Sequence, residues 1–341
     1  MCASFFQRFT FKEKKYAVLV MILFLCVSIP ESQAARQKVS QDLISVSFPS
    51  AKEGWACGRW GTILHSTDGG QTWVRQQGGT DYTLTSISFV DSRNGWVVGD
   101  GGTILQTKDG GKTWAKQKSP VPYFLFGVQF VNPQKGWIVT ERTTILYTED
   151  GGENWQVQFK DQDFILKRIS FCDEQNGWAV GEFGYIYHTD NGGKAWKKQA
   201  GEFKFSQETG EMVGGNFLFD VVAIDSRTAW VVGIDGYAAT TVDSGKTWRQ
   251  VTNGIPKSHL FGVTSNRHDT IVIGGNAVLL RSLDGGKSFN QAKAEPRITY
   301  GWIYGIVPRN GGGETGFVAF GKGGWIYLSD KEGNVWNRVV Y

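Results

Sequence analysis

The sequence predicts an all-β fold, a seven-bladed β-propeller with four antiparallel strands in each blade. Glycine makes up 45 of 341 residues, and it is accompanied by 14 Trp and only 8 Pro. Average glycine usage is roughly 7%, so this composition favours strands and tight turns over disorder. A tryptophan also recurs every 41 residues from Trp73 to Trp196. Four short strands in a unit of that length are typical of a propeller blade.

Each unit closes with a box of the form Ser/Thr-x-Asp-Gly-Gly-x-Thr-Trp. The Asp carboxylate of such a box can accept hydrogen bonds from its own turn, and the glycines supply positive-φ positions. Asn191 and Lys331 replace the Asp in two units, so we interpret the box as a structural element rather than a binding site. The box residues are Asp68 and Trp73, Asp109 and Trp114, Asp150 and Trp155, Asn191 and Trp196, Asp243 and Trp248, Asp284 and Phe289, and Trp336.

Two further columns complete the repeat, a Gly-Trp pair and an apolar strand that ends in Phe. Together they place the blades at approximately 43–78, 79–119, 120–160, 161–200, 217–254, 255–295 and 296–341. An insertion at 201–216, on the same face as the inter-blade loops, is either a partner-binding lid or a mobile loop. Every unit begins on its inner strand. The ring therefore closes either by packing of blade 7 on blade 1 or through an extra strand from residues 36–42.

Residues 1–34 have the pattern of a secretory signal peptide. Basic residues precede an apolar stretch from Tyr16 to Ile29, and small residues follow near Ala34. The stretch is shorter than the roughly 20 residues of a membrane span, although an uncleaved anchor is the alternative. We expect cleavage near Ala34, an N-terminal extension at 35–42, and a periplasmic or other extracytoplasmic protein.

The charge and the positions of the histidines and cysteines argue against several classes of site. Without residues 1–34 the chain keeps 36 − 4 = 32 basic and 32 − 2 = 30 acidic residues, which argues against nucleic-acid binding. His65 and His188 occupy one repeat column three blades apart, so we expect no metal site. No motif indicates a cofactor. Cys57 and Cys172 are equally far apart, which predicts two free thiols.

The predicted binding surface is the face with the loops between second and third strands and the loops between blades. Binding residues concentrate on loops that a rigid scaffold holds, and these loops vary while their flanks repeat. The candidates are Arg59, Trp60, Tyr82, Tyr123, Glu141, Arg142, Glu182, Phe183, Asp235, Tyr300, Trp302, Lys322 and Trp325. Trp60, Trp302 and Trp325 lie outside the repeat columns. We expect them to cluster where blade 7 meets blade 1, either as packing or as an aromatic binding patch.

The boxes resemble the Asp-boxes (bacterial neuraminidase repeats) of sialidases, xyloglucanases and sortilin-type receptors. The whole repeat, with Asn/Lys-Gly-Trp, Val-Val-Gly, Gly-Thr-Ile-Leu and the box, more closely resembles the photosystem II stability/assembly factors over residues 43–341. This resemblance implies a non-catalytic, monomeric scaffold that binds a protein or peptide, such as a subunit of a membrane complex. In a photosynthetic source the compartment is the thylakoid lumen. Glu182 stands where the resemblance leads one to expect an arginine in blade 4.

The competing hypothesis is a glycan-binding or glycan-cleaving propeller that uses Arg59, Trp60 and Arg142 with the carboxylates of Glu141 and Glu182. Sialidases have six blades, and xyloglucanases resemble two fused propellers with catalytic carboxylates in the cleft between them. One seven-bladed propeller matches neither, so we expect no enzyme. Paired acids about 5–10 Å apart on the face that carries these loops would support hydrolysis instead.

Overall fold

The structure is a computed structural model that describes residues 40–210, 212–266, 269–309 and 316–339. The predicted signal peptide at 1–34 lies outside the described residues. Seven antiparallel sheets follow one another along the chain, each hydrogen-bonded in sequence order, and the last gains a fifth strand. The predicted fold class, a seven-bladed β-propeller with four antiparallel strands per blade, is confirmed.

The first four blades have regular strand lengths. Blade 1 contains β1–β4, at Leu43–Ser47, Gly54–Gly58, Thr62–Ser66 and Val74–Gln77. Blade 2 contains β5–β8, at Leu84–Phe89, Gly95–Gly99, Ile104–Thr107 and Ala115–Gln117. Blade 3 contains β9–β12, at Leu125–Phe130, Gly136–Thr140, Thr144–Thr148 and Gln156–Lys160. Blade 4 contains β13–β16, at Leu166–Phe171, Gly177–Gly181, Ile186–Thr189 and Lys197–Ala200.

The remaining blades carry the irregular features. The insertion pairs β17 with β18, at Phe203–Phe205 and Met212–Gly214. Blade 5 contains β19–β22, at Leu218–Ala223, Ala229–Gly233, Ala238–Thr241 and Arg249–Gln250. Blade 6 contains β23–β26, at Leu260–Ser265, Ile271–Gly275, Leu279–Ser282 and Asn290–Gln291. Blade 7 contains β27–β31, at Lys293–Glu295, Ile303–Pro308, Phe317–Gly321, Ile326–Ser329 and Val335–Arg338.

Aromatic sandwiches join the blades. Trp96 of blade 2 stacks on Phe130 of blade 3 with ring centroids 3.5 Å apart, and Phe130 meets the box ring of Trp155 edge-on at 5.7 Å. Trp55 and Trp137 make the same stack with the next blade, at 3.8 Å in both cases. These tryptophans are fully buried. The Gly-Trp column, the Phe column and the boxes therefore form one packing layer between neighbouring blades.

The first box shows how its polar residues hold the turn. The Asp68 carboxylate accepts hydrogen bonds from the Thr72 N–H at 2.8 Å and from the Ser66 hydroxyl at 2.9 Å. Gly69 and Gly70 have φ values of 74° and 89°, which favour glycine. Trp73 Nε1 donates to the Gly70 carbonyl at 2.9 Å. The predicted hydrogen bonds of the box carboxylate to its own turn are confirmed.

Two boxes achieve this turn with other residues. Asn191 Oδ1 accepts a hydrogen bond from the Ala195 N–H at 2.9 Å, as a carboxylate oxygen would. In blade 7 Lys331 stands at the Asp position, and a carboxylate from the preceding residue holds the turn. Asp330, one residue earlier, accepts from the Asn334 N–H at 2.7 Å. The four-residue spacing from acceptor to donor is the same as in the first box, so the turn is kept with a shifted register.

The ring closes by face packing of blade 7 on blade 1. β1 is the innermost strand of its sheet and contacts β28 and β29. The described part of the N-terminal extension, residues 40–42, forms no strand, and residues 36–39 lie outside the described residues. The fifth strand of blade 7 is β27, which follows blade 6 and pairs in parallel with β31. Over the described residues, packing alone is therefore the closure observed.

Cys57 and Cys172 are free thiols. Cys57 lies fully buried in β2, where burial raises the pKa of its thiol far above the ordinary value. Within the described ranges, no helix is both long and apolar enough to span a bilayer.

Candidate functional site

The candidate site is a cavity of about 440 Å³ at the face of the ring where the inner strands begin, which we call the mouth. Because the strands of a blade are antiparallel, this face also carries the loops between second and third strands and the loops between blades. The second residue of each inner strand lies at the central opening. These seven residues are Ile44, Thr85, Phe126, Lys167, Phe219, Phe261 and Tyr304, and all of them line the cavity.

Blades 5 to 7 supply an aromatic wall. Phe219 and Phe261 have ring centroids 5.1 Å apart. Trp302 lies 6.0 Å from Phe261 and 5.9 Å from Tyr304, and it is 46% exposed. Offset and edge-to-face rings at these separations are mutually stabilising. The wall is therefore a preformed apolar surface that remains open to solvent.

A partly buried ion pair lies beside this wall. Arg168 Nε is 3.7 Å from Asp220 Oδ1, and Arg168 also donates to the Ile44 carbonyl at 3.5 Å. The Asp220 carboxylate accepts the N–H groups of Val221 and Val263 at 3.0 and 2.9 Å. Burial raises the pKa of Asp220 to about 6, although Arg168 and these hydrogen bonds oppose the shift. The charges of Arg168 and Asp220 largely compensate each other above that pH.

Arg59 belongs to a second charged group, where blade 7 meets blade 1. Its Nε lies 3.4 Å from Asp42 Oδ2. Asp42 also accepts the Gly323 N–H at 2.8 Å and the Tyr304 hydroxyl at 3.3 Å. The carboxylate thus connects the N-terminal extension to the mouth turns of blades 1 and 7. Arg59 lines the cavity, but its charge already has a partner.

The carboxylates of Glu141 and Glu182 hold backbone groups. Glu141 Oε1 accepts the Phe124 N–H at 3.1 Å, and Glu182 Oε2 accepts the Ile165 N–H at 3.0 Å. Each bond ties the turn between second and third strands to the inter-blade loop of the same blade. Both acids therefore have a local structural role, which the sequence did not indicate.

The other predicted residues of blades 2, 3 and 5 lie at the outer part of the mouth. Tyr82 is exposed, and its carbonyl accepts the Gly61 N–H at 2.9 Å. The Arg142 guanidinium lies 4.7 Å from the centre of the Tyr123 ring. The Asp235 N–H donates to His259 Nδ1 at 3.2 Å. These side chains surround the cavity without lining it.

Phe183 does not contribute to the open mouth, contrary to our expectation. It is buried, and its ring lies 4.8 Å from Phe164 and 5.2 Å from Phe203. Phe203 begins the inserted strand pair and covers this side of blade 4. The insertion is therefore anchored on the propeller through an aromatic cluster.

The residues predicted at the blade 7 and blade 1 junction divide into separate environments. Trp60 is 68% exposed and Tyr300 78%. The Lys322 ammonium lies 5.3 Å from the Tyr300 ring and 5.9 Å from the Trp302 ring. Trp325 is half-buried, with the Arg338 guanidinium over its ring at 4.8 Å. Among the described residues no ring contact joins two of the three tryptophans, so they do not stack on one another.

Backbone geometry at the mouth turns repeats around the ring. One residue of each turn between second and third strands has φ between 54° and 64°. The seven residues are Trp60, Gly101, Arg142, Phe183, Asp235, Ala277 and Gly323. This left-handed conformation costs roughly 1–2 kcal/mol for a residue with a Cβ. Five blades nevertheless carry a side chain there, and in blade 4 that side chain, Phe183, packs in a buried aromatic cluster.

The central residues Phe126, Lys167, Phe219, Phe261 and Tyr304 were missed by sequence reasoning. The repeat contains the signal that could have found them, because each occupies the second position of the inner strand in its unit. At that position large or charged residues replace the Ile44 and Thr85 of the first two blades. The described residues contain no cluster of three His, Cys, Asp or Glu side chains able to hold a metal ion.

Comparison with known families decides the assignment. A family model described as photosynthesis system II assembly factor YCF48 matches residues 76–122, 116–213 and 208–341, which together exceed half of the chain. The chain belongs to this family. The resemblance found in its repeats is thereby confirmed. Comparison with curated proteins gave no match.

Solved structures of YCF48 have the same fold as this YCF48-family chain. The structure of YCF48 bound to D1 peptide is 20% identical with a TM-score of 0.69, covering 86% of this chain and 94% of that chain. YCF48 from Cyanidioschyzon merolae is also 20% identical, with a TM-score of 0.68 and coverages of 85% and 96%. The GH74 xyloglucanase from Xanthomonas campestris is 12% identical, with a TM-score of 0.67, covering 88% of this chain and 55% of that chain. This chain thus corresponds to about half of that enzyme.

Proposed function

We propose that this YCF48-family protein binds a polypeptide segment at its mouth and acts as an assembly factor for a membrane protein complex. The observation that carries the proposal is the open aromatic wall of Phe219, Phe261, Trp302 and Tyr304, with the Lys167 ammonium in the same cavity. Preformed cavities of this size, mostly apolar with a few placed polar groups, are typical of ligand sites. A solved relative is described as bound to a D1 peptide, which supports a peptide ligand.

Charge distribution at the mouth supports the same proposal. The acids near the cavity are engaged: Asp42 with Arg59, Asp220 with Arg168, and Glu182 with a backbone N–H. The ammonium groups of Lys167 and Lys322 lie against aromatic rings. The mouth therefore offers apolar surface together with positive charge, a combination suited to a polypeptide with apolar and acidic side chains.

The binding experiment is a calorimetric titration with a synthetic D1 peptide and with peptides from other subunits of candidate complexes. We expect saturable binding that weakens at least tenfold in Phe261→Ala, because anchors in an aromatic wall dominate binding energy. Val242→Ala is the matched control, since Val242 is an exposed apolar residue in the blade 5 box on the opposite face. Equal affinities for the two variants would place the binding site elsewhere.

We further propose that the protein is not an enzyme, although a GH74 enzyme has a similar fold. The carboxylates of Glu141 and Glu182, the acids of the glycosidase hypothesis, are held by backbone N–H groups of their own blades. Xyloglucanases resemble two fused propellers with catalytic carboxylates in the cleft between them. This chain covers only 55% of the GH74 xyloglucanase, and its described residues form one propeller and no such cleft. Incubation with xyloglucan and with a sialyl oligosaccharide tests this, and release of reducing sugar or sialic acid would contradict it.

We also propose that the protein acts outside the cytoplasm as a monomer, in the periplasm or, in a photosynthetic source, in the thylakoid lumen. The signal-like pattern of residues 1–34 supports export. N-terminal sequencing of the protein from fractionated cells and light scattering of the purified protein test the two parts. A cytoplasmic protein that retains Met1, or a stable dimer, would contradict them.

A further inference from the structure

Lys167 is the unusual charge of the mouth. It is the second residue of β13, and its ammonium lies 4.1 Å from the centre of the Phe126 ring inside the cavity. The side chain is only partly exposed. In the part of the chain that the structure describes, no carboxylate lies within ion-pair distance of its Nζ.

The neighbouring cations of the cavity differ in this respect. Arg168 lies 3.7 Å from Asp220, and Arg59 lies 3.4 Å from Asp42. Glu182 is the acid with an electrostatic effect on Lys167. Its Oε2, however, accepts a hydrogen bond from the Ile165 N–H and forms no ion pair with Lys167. Lys167 therefore retains a donor group that is not engaged in an ion pair with any described acid.

Burying an ammonium without an anionic partner is unfavourable. Burial lowers the pKa of Lys167, Glu182 opposes that shift and Arg168 adds to it. A partial cation–π contact with Phe126 offsets some of the cost. A ligand carboxylate would supply the missing partner in a site where water is already partly excluded, so a charge-assisted bond there contributes more than at an open surface.

We propose that Lys167 binds a carboxylate of the polypeptide held in the mouth, while apolar side chains next to that carboxylate lie against Phe126, Phe219 and Phe261. This inference rests on the proposed function and adds the chemistry of the ligand. The carboxylate comes either from an Asp or Glu side chain or from a free C-terminus. Both sources present the same anionic oxygens to Nζ.

The probe is a library of random octapeptides on beads, prepared once with a free C-terminal carboxylate and once as the C-terminal amide. Fluorescently labelled protein selects the beads, and the bound peptides are sequenced. We expect enrichment of apolar residues next to Asp or Glu in the amide library if a side chain supplies the carboxylate. Binding that requires the free-acid library instead assigns the C-terminus.

The selected peptide and its neutral counterpart, with Gln for Glu or an amide for the acid, are then titrated against variants. Lys167→Gln should weaken the binding of the acidic peptide by about tenfold or more, as expected for a lost charge-assisted hydrogen bond. It should change the affinity for the neutral peptide less than about twofold. Lys167→Arg retains the charge and should retain most of the preference.

Lys108→Gln is the control, because Lys108 is an exposed lysine of the blade 2 box on the opposite face. The thermal midpoint of Lys167→Gln should equal or exceed that of the wild type, since the variant removes a half-buried charge. Peptides that bind without any preference for acidic groups would overturn the inference and leave the proposed function standing. An equal loss for acidic and neutral peptides in Lys167→Gln would do the same, and no binding of any peptide would overturn both.

Discussion

Trp96 lies fully buried against Phe130 of the next blade, with ring centroids 3.5 Å apart and ring planes 6° apart. Its Nε1 donates to the Gly151 carbonyl at 2.9 Å, in the box of that neighbouring blade. One side chain thus joins a blade, the next inner strand and the next box. The stack recurs between blades 1 and 2 and between blades 3 and 4, so the first four blades are joined in the same way.

Trp96→Ala should therefore destabilise the protein by about 3–5 kcal/mol, since it leaves a cavity between two blades. Trp60→Ala is the control, because Trp60 is 68% exposed and should change stability by less than about 0.5 kcal/mol. Urea or thermal unfolding followed by tryptophan fluorescence and circular dichroism measures both. Similar losses in the two variants would contradict the packing argument.

The box carboxylates predict a loss of stability in acid. Hydrogen bonds, above all from the Thr113 hydroxyl, lower the pKa of Asp109 to about 2. Because the folded pKa is below the ordinary value of 3.8, this contribution is complete above about pH 4 and is lost as the pH falls towards 2. The thermal midpoint of Asp109→Ala should be below that of the wild type at pH 6, and the gap should narrow near pH 2. Asp109→Asn, which imitates Asn191, should lose less than Asp109→Ala.

The effect of pH on stability that we expect from Asp220 is opposite to that of the box carboxylates. Burial raises its pKa to about 6, so the folded state prefers the protonated acid. Its contribution to stability is greatest below about pH 4 and decreases as the pH rises through 6. The thermal midpoint of Asp220→Asn relative to the wild type should therefore rise between pH 4 and pH 7. A constant difference over that range would show that Asp220 titrates normally.

The variant Trp302→Ala should show whether Trp302 serves in peptide binding or in packing of the ring. The ring is 46% exposed and contacts Phe261 and Tyr304 at the mouth. We expect Trp302→Ala to change the thermal midpoint by only a few degrees and to weaken peptide binding at least tenfold. A large stability loss with unchanged peptide affinity would instead assign Trp302 to ring closure.

Ala277 tests the strain of the mouth turns. Its φ of 56° is unfavourable for a residue with a Cβ, and glycine removes that penalty at a smaller entropic cost. We expect Ala277→Gly to stabilise the protein by up to about 1 kcal/mol. Ala115→Gly in the exposed strand β8 should destabilise it, because φ there is negative. Destabilisation by both substitutions would show that the Ala277 methyl packs more favourably than the turn conformation disfavours it.

Much of the fold could be predicted from the sequence because each blade repeats the same local interactions. Asp68 bonds to Thr72 only four residues away, so the pattern of the box is visible along the chain. The Trp73 to Trp196 spacing of 41 residues sets the blade length and the blade count follows from the repeats. Family membership followed from those repeats as well.

The site depended on contacts that a linear pattern does not show. Lys167 and Phe126 lie 41 positions apart, yet they meet because their strands are neighbours at the centre of the ring. The sequence predicts an exposed acid at Glu182, but its carboxylate accepts a hydrogen bond from a backbone N–H seventeen residues away. Phe183 lies in a mouth turn by sequence, and the insertion buries it.

The sequence by itself therefore determined the repeating architecture, because boxes and strands are stabilised by residues close together in the chain. Tertiary structure decided which mouth side chains remain available, because the folded blade brings Glu182 to the Ile165 N–H and Asp42 to Arg59, and packing of blade 5 on blade 4 brings Asp220 to Arg168. Lys167 is left as the unpaired charge of the cavity for the same physical reason. The neighbouring cations Arg168 and Arg59 are compensated by carboxylates that the fold places beside them.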